Sequence, residues 1–190
     1  MPIKVLVSGT GKMGREVLSA VCRDPDLEPA GVLSRSAVEE YLSLPDGSGL
    51  VPFAADTAAL LLRTRPDVLI DFTDAECTPK VARAALEAGT RLVIGTSGLS
   101  EAFLGELEKE CQERRLGAVV AANFAIGAVL MMHLAKIAGR FFDHAEVVEM
   151  HHEQKVDAPS GTALATTQGM VAARGKPFDR PPNPREVVPG

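Results

Sequence analysis

Ile3-Lys4-Val5-Leu6-Val7-Ser8, followed without a break by Gly9-Thr10-Gly11-Lys12-Met13-Gly14, decides the fold of this chain. The first six residues are an apolar run rich in branched side chains, which predicts a strand buried on both faces. The next six form a strict GxGxxG. Arg15 to Arg23 then has helical spacing, with Val17, Leu18 and Val21 on one face, until Asp24-Pro25 stops it. Strand, glycine turn and helix in that order are the setting in which this motif binds the diphosphate of a dinucleotide. Its first glycine makes a tight turn, its second lets backbone approach the diphosphate, and its third lets helix and strand pack closely. The helix then offers free N–H groups and a positive dipole end to the anion. Gly9, Thr10, Gly11, Lys12, Met13 and Gly14 are therefore candidate cofactor residues.

Outward from this unit the alternation repeats. Strands are expected at Leu27–Leu33, with an irregular start at Pro29, and at Asp67–Asp71, Arg91–Ile94 and Ala118–Ala121. Helices are expected around Ala37–Leu44, at Thr57–Thr64 with Thr57 or Asp56 as cap, from an N-cap at Thr78 to Ala88, and from Ser100 to about Arg115. Pro45-Asp46-Gly47-Ser48-Gly49 reads as a loop. The pattern predicts a Rossmann-type, doubly wound parallel sheet with helices on both faces. The texture changes after residue 122. An apolar helix spans Ile126–Ala138, a strand Glu146–Met150, a polar loop His151–Pro159 and a helix Gly161–Arg174, before a proline-rich tail at 177–190. We expect a dinucleotide-binding domain at 1–122 and a smaller α+β substrate domain at 123–190.

Bulk properties narrow the partners. The chain has 190 residues, 46% hydrophobic and 24% charged, with a formal net charge of −5. An acidic chain is a poor general ligand for nucleic acid or anionic membrane, so its anion sites must be local. Cys22, Cys77 and Cys111 show neither paired nor metal-ligand spacing, so no metal is expected. No basic-then-apolar leader precedes the first strand and no apolar run nears the ~20 residues of a membrane span. A cytoplasmic protein is expected.

After the second strand, a site for NADH usually carries an acid for the ribose 2′-hydroxyl. Here Ser34-Arg35-Ser36 stands, with no acid before Glu39. An arginine between two hydroxyls suits a 2′-phosphate, so NADPH is the expected preference over NADH.

The densest polar segment runs from Glu149 through His151-His152-Glu153-Gln154-Lys155 to Pro159-Ser160-Gly161-Thr162. Ser160 is a natural N-cap, and Gly161 and Thr162 open the helix behind it. A basic pair beside an open helix N-terminus can receive a small dianion, and a histidine can deliver a proton near neutral pH. A solvated loop in which Glu153 and Asp157 neutralise Lys155 fits the spacing equally well.

Taken together, the chain resembles the dihydrodipicolinate (4-hydroxy-tetrahydrodipicolinate) reductases of lysine and diaminopimelate biosynthesis. The likeness is carried by Gly9–Arg15, Asp71-Phe72-Thr73, Gly95-Thr96-Ser97-Gly98, Asn123-Phe124-Ala125-Ile126-Gly127 and, most specifically, His151–Ala163. The resemblance implies that His151 donates a proton with Lys155 beside it, and that His152, Gly161 and Thr162 meet the substrate's carboxylates. It further implies that Phe72, Thr73, Gly95, Thr96 and the turn Ala122-Asn123-Phe124 line the nicotinamide side. The implied reaction passes hydride from NAD(P)H to a cyclic dicarboxylic imine, with a homotetramer as the assembly. Two departures stand out. Ala125 replaces the family's small polar residue, and family members continue well beyond position 190, so the second domain is expected to be incomplete. A dinucleotide-binding protein without catalysis, and a different two-domain dehydrogenase, are the rival expectations.

Overall fold

A computed structural model of the chain describes residues 1–151, 153 and 158–179. They fall into two compact units, Met1–Ala121 and Ala122–Gly190.

The first unit is the Rossmann-type domain. Strand β1 (Ile3–Ser8) leads through the glycine turn into α1 (Lys12–Arg23) and returns as β2 (Leu27–Leu33). Strands β3 (Tyr41–Ser43) and β4 (Leu50–Ala54) follow, then α2 (Thr57–Thr64), β5 (Val68–Asp71), α3 (Thr78–Glu87), β6 (Arg91–Ile94), α4 (Glu101–Arg114) and β7 (Ala118–Val120). The strands form one sheet in the order β3-β4-β2-β1-β5-β6-β7, parallel except for the β3–β4 pair. Alternation along β1 explains the two-sided burial. Leu6 joins Leu60, Leu69, Leu86, Ile94 and Phe103 on the face covered by α2, α3 and α4. Val5 and Val7 join Leu18, Val21 and Val32 on the face covered by α1. Leu6 is fully buried, so truncating it to alanine removes about 2–5 kcal/mol of stability. Pro29 marks a real irregularity: the β1–β2 register shifts there, so that Val5 faces Pro29 and Leu6 faces Gly31.

Four expectations need correction. Helix α1 starts at Lys12, inside the motif, rather than at Arg15, because Gly11 already serves as its N-cap. No helix forms over Ala37–Leu44. Tyr41–Ser43 instead pairs antiparallel with Leu50–Pro52, closing a hairpin over the loop at 45–49. Asp46 accepts hydrogen bonds from the Ser48 amide (3.0 Å) and hydroxyl (2.7 Å), and that turn chemistry outweighs the helix propensity of Ala37, Glu39 and Glu40. Thr78 is the first residue of α3 and not its cap; Cys77 holds the cap position without a side-chain bond. The Glu146–Met150 strand is absent: among the described residues no neighbouring strand offers it a ladder, and backbone pairing is what defines a strand.

The second unit contributes α5 (Ile126–Ala138) and α6 (Gly161–Arg174), and no strand among the described residues. The two helices meet at Gly139, where an added Cβ would lie 3.3 Å from the Met170 side chain. Arg174 ties down the loop after α5. Its guanidinium donates to Asp143 at 2.6 Å and stacks on the Phe178 ring at 4.9 Å. Among the described residues no helix is long and apolar enough to cross a membrane.

Candidate functional site

The glycine turn has the tight bend and the close helix packing expected of its first and third glycines. Gly9 has φ +107°, in the region that favours glycine, and a Cβ there would lie 2.7 Å from the Phe72 carbonyl oxygen. Its amide donates to Leu33 O at 2.9 Å, tying the turn to the end of β2. A Cβ on Gly14 would sit 2.0 Å from the Gly9 carbonyl oxygen, so the helix rests directly on the turn. At Gly11 nothing lies within 4 Å of the added atom, and no side chain caps α1. The second glycine therefore keeps the helix N-terminus uncovered.

A cavity of about 550 Å³ opens at the carboxyl ends of β1, β2 and β5, where parallel α/β sheets bind their ligands. Gly9, Thr10 and Gly11 line it, with Ser34, Arg35 and Ser36 after β2 and Phe72 and Thr73 after β5. Lys12 and Met13 are exposed and lie outside the lining. The Thr10 hydroxyl meets that of Ser34 at 2.9 Å. Arg35 is not a free cation: it donates to Asp74 at 2.6 Å. The Cys77 amide, and after it the charge of Arg35, holds the Asp74 carboxyl below the usual aspartate value. Asp74 and Lys80 also line the cavity and escaped the sequence reading, as did Ser8. Ser8 is fully buried at the end of β1, and its hydroxyl has no hydrogen-bond partner among the described residues. An orphaned buried hydroxyl beside a glycine cradle that side chains would fill is what a phosphate-bearing ligand completes.

Gly95 and Thr96 sit behind this wall. A Cβ on Gly95 would lie 2.1 Å from the Phe72 ring, so the aromatic ring packs against it. The Thr96 hydroxyl donates to Asp71 at 3.0 Å and accepts from the Thr73 amide at 3.1 Å.

The second unit carries its own cavity, about 550 Å³, lined by Asn123, Glu149, His151, Ser160, Thr162 and others. Ser160 caps α6 as expected, accepting from Ala163 N at 3.1 Å. The Asn123 amide donates to Thr162 Oγ1 at 3.2 Å, while its oxygen accepts from Ala125 N at 2.9 Å and so shapes the entry to α5. Ala122 and Phe124 are exposed. Gly161 is the first residue of α6 and lies outside the lining. Glu149 was not singled out in the sequence, yet its carboxylate accepts from both the amide (2.8 Å) and the hydroxyl of Ser160. The same carboxylate lies 3.6 Å from His151 Nδ1. The helix start that was expected to stand open is thus partly occupied by an acceptor from this chain. His152 and Lys155 lie outside the described residues. No group of three or more metal-binding side chains occurs among the described residues.

Residues 3–124 match a family model described as "Dihydrodipicolinate reductase, N-terminus", and residues 127–186 its counterpart "Dihydrodipicolinate reductase, C-terminus". A curated "4-hydroxy-tetrahydrodipicolinate reductase" of Dehalococcoides mccartyi (strain ATCC BAA-2100 / JCM 16839 / KCTC 5957 / BAV1) is 46% identical over 182 residues, covering 95% of this chain and 69% of that protein. One from Bacillus subtilis (strain 168) is 39% identical over 191 residues, covering 99% and 71%. The solved structure "Dipicolinate bound Dihydrodipicolinate reductase from Paenisporosarcina sp. TG-14" superposes with a TM-score of 0.79 at 36% identity, covering 99% of this chain and 72% of that one. A homoserine dehydrogenase of S. aureus, 17% identical with a TM-score of 0.54 over 64% of this chain and 33% of that one, shares the fold alone.

Proposed function

The chain belongs to the dihydrodipicolinate reductase family, and from that premise we propose how its residues divide the work of an NAD(P)H-dependent reduction of 4-hydroxy-tetrahydrodipicolinate. In that reaction a hydride and a proton are added and the 4-hydroxyl leaves as water, giving tetrahydrodipicolinate on the route to diaminopimelate and lysine. The observation that carries the proposal is the cavity over Gly9–Gly11, where a glycine cradle, an uncapped helix start and the buried Ser8 hydroxyl converge. Bound there, the reduced cofactor supplies the hydride. The amides at the start of α1 hold its diphosphate, and Ser34, Arg35 and Ser36 hold the ribose beside β2. Phe72 and Thr73 line the wall nearer β5, with Gly95 and Thr96 backing them. Ala122, Asn123 and Phe124 are assigned to cofactor binding as well.

Substrate work belongs to the second cavity. His151 holds and delivers the proton, and Lys155 works with it. His152 and the α6 amides at Gly161 and Thr162 grip the two carboxylates, and Ser160 shapes that helix start. Glu149 orients His151 and competes for the Ser160 amide, which makes the pocket selective for a ligand able to use the remaining donors. NADPH is preferred over NADH through Arg35, although the 2′-phosphate must share that guanidinium with Asp74. A homo-oligomer is part of the same proposal: Ile126, Val129, Leu130 and Leu134 on α5 are exposed, an apolar surface of the kind subunits cover, and sedimentation velocity tests it.

The deciding experiment mixes the purified chain with NADPH or NADH and the freshly made condensation product of aspartate semialdehyde and pyruvate, and follows the absorbance of the reduced cofactor. His151→Ala and Lys155→Ala should each lower kcat by about 100-fold or more, the typical worth of a general acid, while cofactor affinity stays unchanged. Wild-type turnover in both variants would remove the proton-transfer roles.

A further inference from the structure

We propose that Asp71 is a positioning residue: its buried carboxylate sets the Phe72–Thr73 wall of the dinucleotide cavity. The inference rests on the reading that this cavity takes the cofactor, and it concerns how the cofactor's second half is held.

Asp71 ends β5 and is 1% exposed. Among the described residues no cation pairs with it. Its charge is met by hydroxyls: Thr78 Oγ1 donates at 2.6 Å, Thr96 Oγ1 at 3.0 Å, and Thr73 Oγ1 at 3.0 and 3.1 Å to its two oxygens. Thr96 closes the network by accepting from the Thr73 amide. The Asp71 carbonyl, for its part, accepts from Gly95 N at 2.9 Å. One carboxylate thus joins three segments: the loop after β5, the loop after β6 and the first turn of α3.

A buried carboxylate without a cation is an expensive way to fill a core, and an apolar side chain of similar size generally does so at lower cost. What the carboxylate adds is geometry. It holds the Thr73 hydroxyl directly and the Thr73 amide through Thr96, and with them Phe72. That segment presses on the glycine turn, since a Cβ on Gly9 would lie 2.7 Å from Phe72 O and 3.4 Å from the Thr73 methyl. It is also the cavity wall. With the diphosphate at α1 and one nucleoside beside the β2 loop, the other half of a dinucleotide extends toward β5 and β6. Asp71 therefore governs the nicotinamide half and not the adenosine half.

This division is measurable with two ligands, NADH and ADP-ribose, which lacks the nicotinamide. Calorimetry on the purified chain and on Asp71→Asn should show the Kd for NADH rising about tenfold, as for loss of a hydrogen bond to a charged group, with the Kd for ADP-ribose within about twofold of wild type. Thr96→Val should reproduce the selective loss and Thr96→Ser should restore NADH binding, so the inference stands or falls on this pair if Asp71→Asn does not fold. Equal weakening of both ligands, or no weakening of either, overturns the positioning role. A wild-type chain that binds neither ligand overturns the cofactor reading instead.

Discussion

Two helices of this protein begin beside a cavity, and their N-termini are handled in opposite ways. At α1 no side chain caps the helix. Gly11 caps the helix without a side-chain bond, and nothing stands within 4 Å of where its Cβ would be. At α6 the chain fills the same kind of position. Ser160 caps the helix through its hydroxyl, and Glu149 takes the Ser160 amide. A helix N-terminus attracts anions in both places. It is a general phosphate receptor only where the protein leaves it bare. Where the protein installs its own carboxylate, a ligand must fit around that group, and selectivity comes with the loss of generality.

The contrast is broken most severely at Gly14. Gly14→Ala drives a methyl group to 2.0 Å from the Gly9 carbonyl oxygen, an overpacking against backbone that costs more than the typical ~1–3 kcal/mol. Cofactor affinity should fall by about 100-fold or more together with the thermal midpoint. Gly11→Ala is its sharp counterpart, because the added methyl meets no protein atom. Its midpoint should hold while NADH fluorescence titration reports weaker binding. If both properties move in step at Gly11 as well, the open α1 terminus is a packing feature and not a phosphate seat.

At α6, Glu149→Gln should lower kcat by about tenfold or more, since a misoriented proton donor forfeits much of the usual gain from acid catalysis, and leave the Kd for NADH unchanged. Loss of cofactor binding in that variant would place Glu149 in the wrong site. Arg35→Ala should weaken NADPH by about tenfold, in line with loss of a charge-assisted bond, and leave NADH alone. Equal effects on the two cofactors would assign Arg35 to general surface charge. The smallest change belongs to Ser160→Ala, which removes an N-cap worth about 1 kcal/mol and should appear as a modest drop in urea midpoint.

Much of the first unit was legible because its signals are local. A branched apolar run is a buried strand, Asp56 and Ser100 cap the helices that follow them, and the first and third glycines make the tight turn and the close packing that their spacing implies. The Ala37–Leu44 region misled because helix formers dominate it, whereas the partner that makes it a strand, Leu50–Pro52, lies across a turn. The Pro-Asp-Gly-Ser-Gly loop between them was the available signal for a hairpin. Ser8 carries no signal of its own at the end of the apolar run, and its cavity is formed only with β5 beside it. Glu149 carried no motif of its own and stands 11 positions before the serine it bonds.

The sequence by itself determined the alternating α/β order, the glycine cradle, the α6 cap and the family to which the chain belongs. Each of these is written in neighbouring residues, through backbone preference, hydrophobic period or motif spacing. Only the tertiary structure decided which polar groups meet: Arg35 with Asp74, Asp71 with Thr78 and Thr96, Glu149 with Ser160. Those pairings join residues 7 to 39 positions apart, and in the case of Asp71 and Thr78 join a strand end to the next helix. Chain folding must first place two backbones within hydrogen-bond reach before a buried polar group can find the partner that offsets its lost hydration.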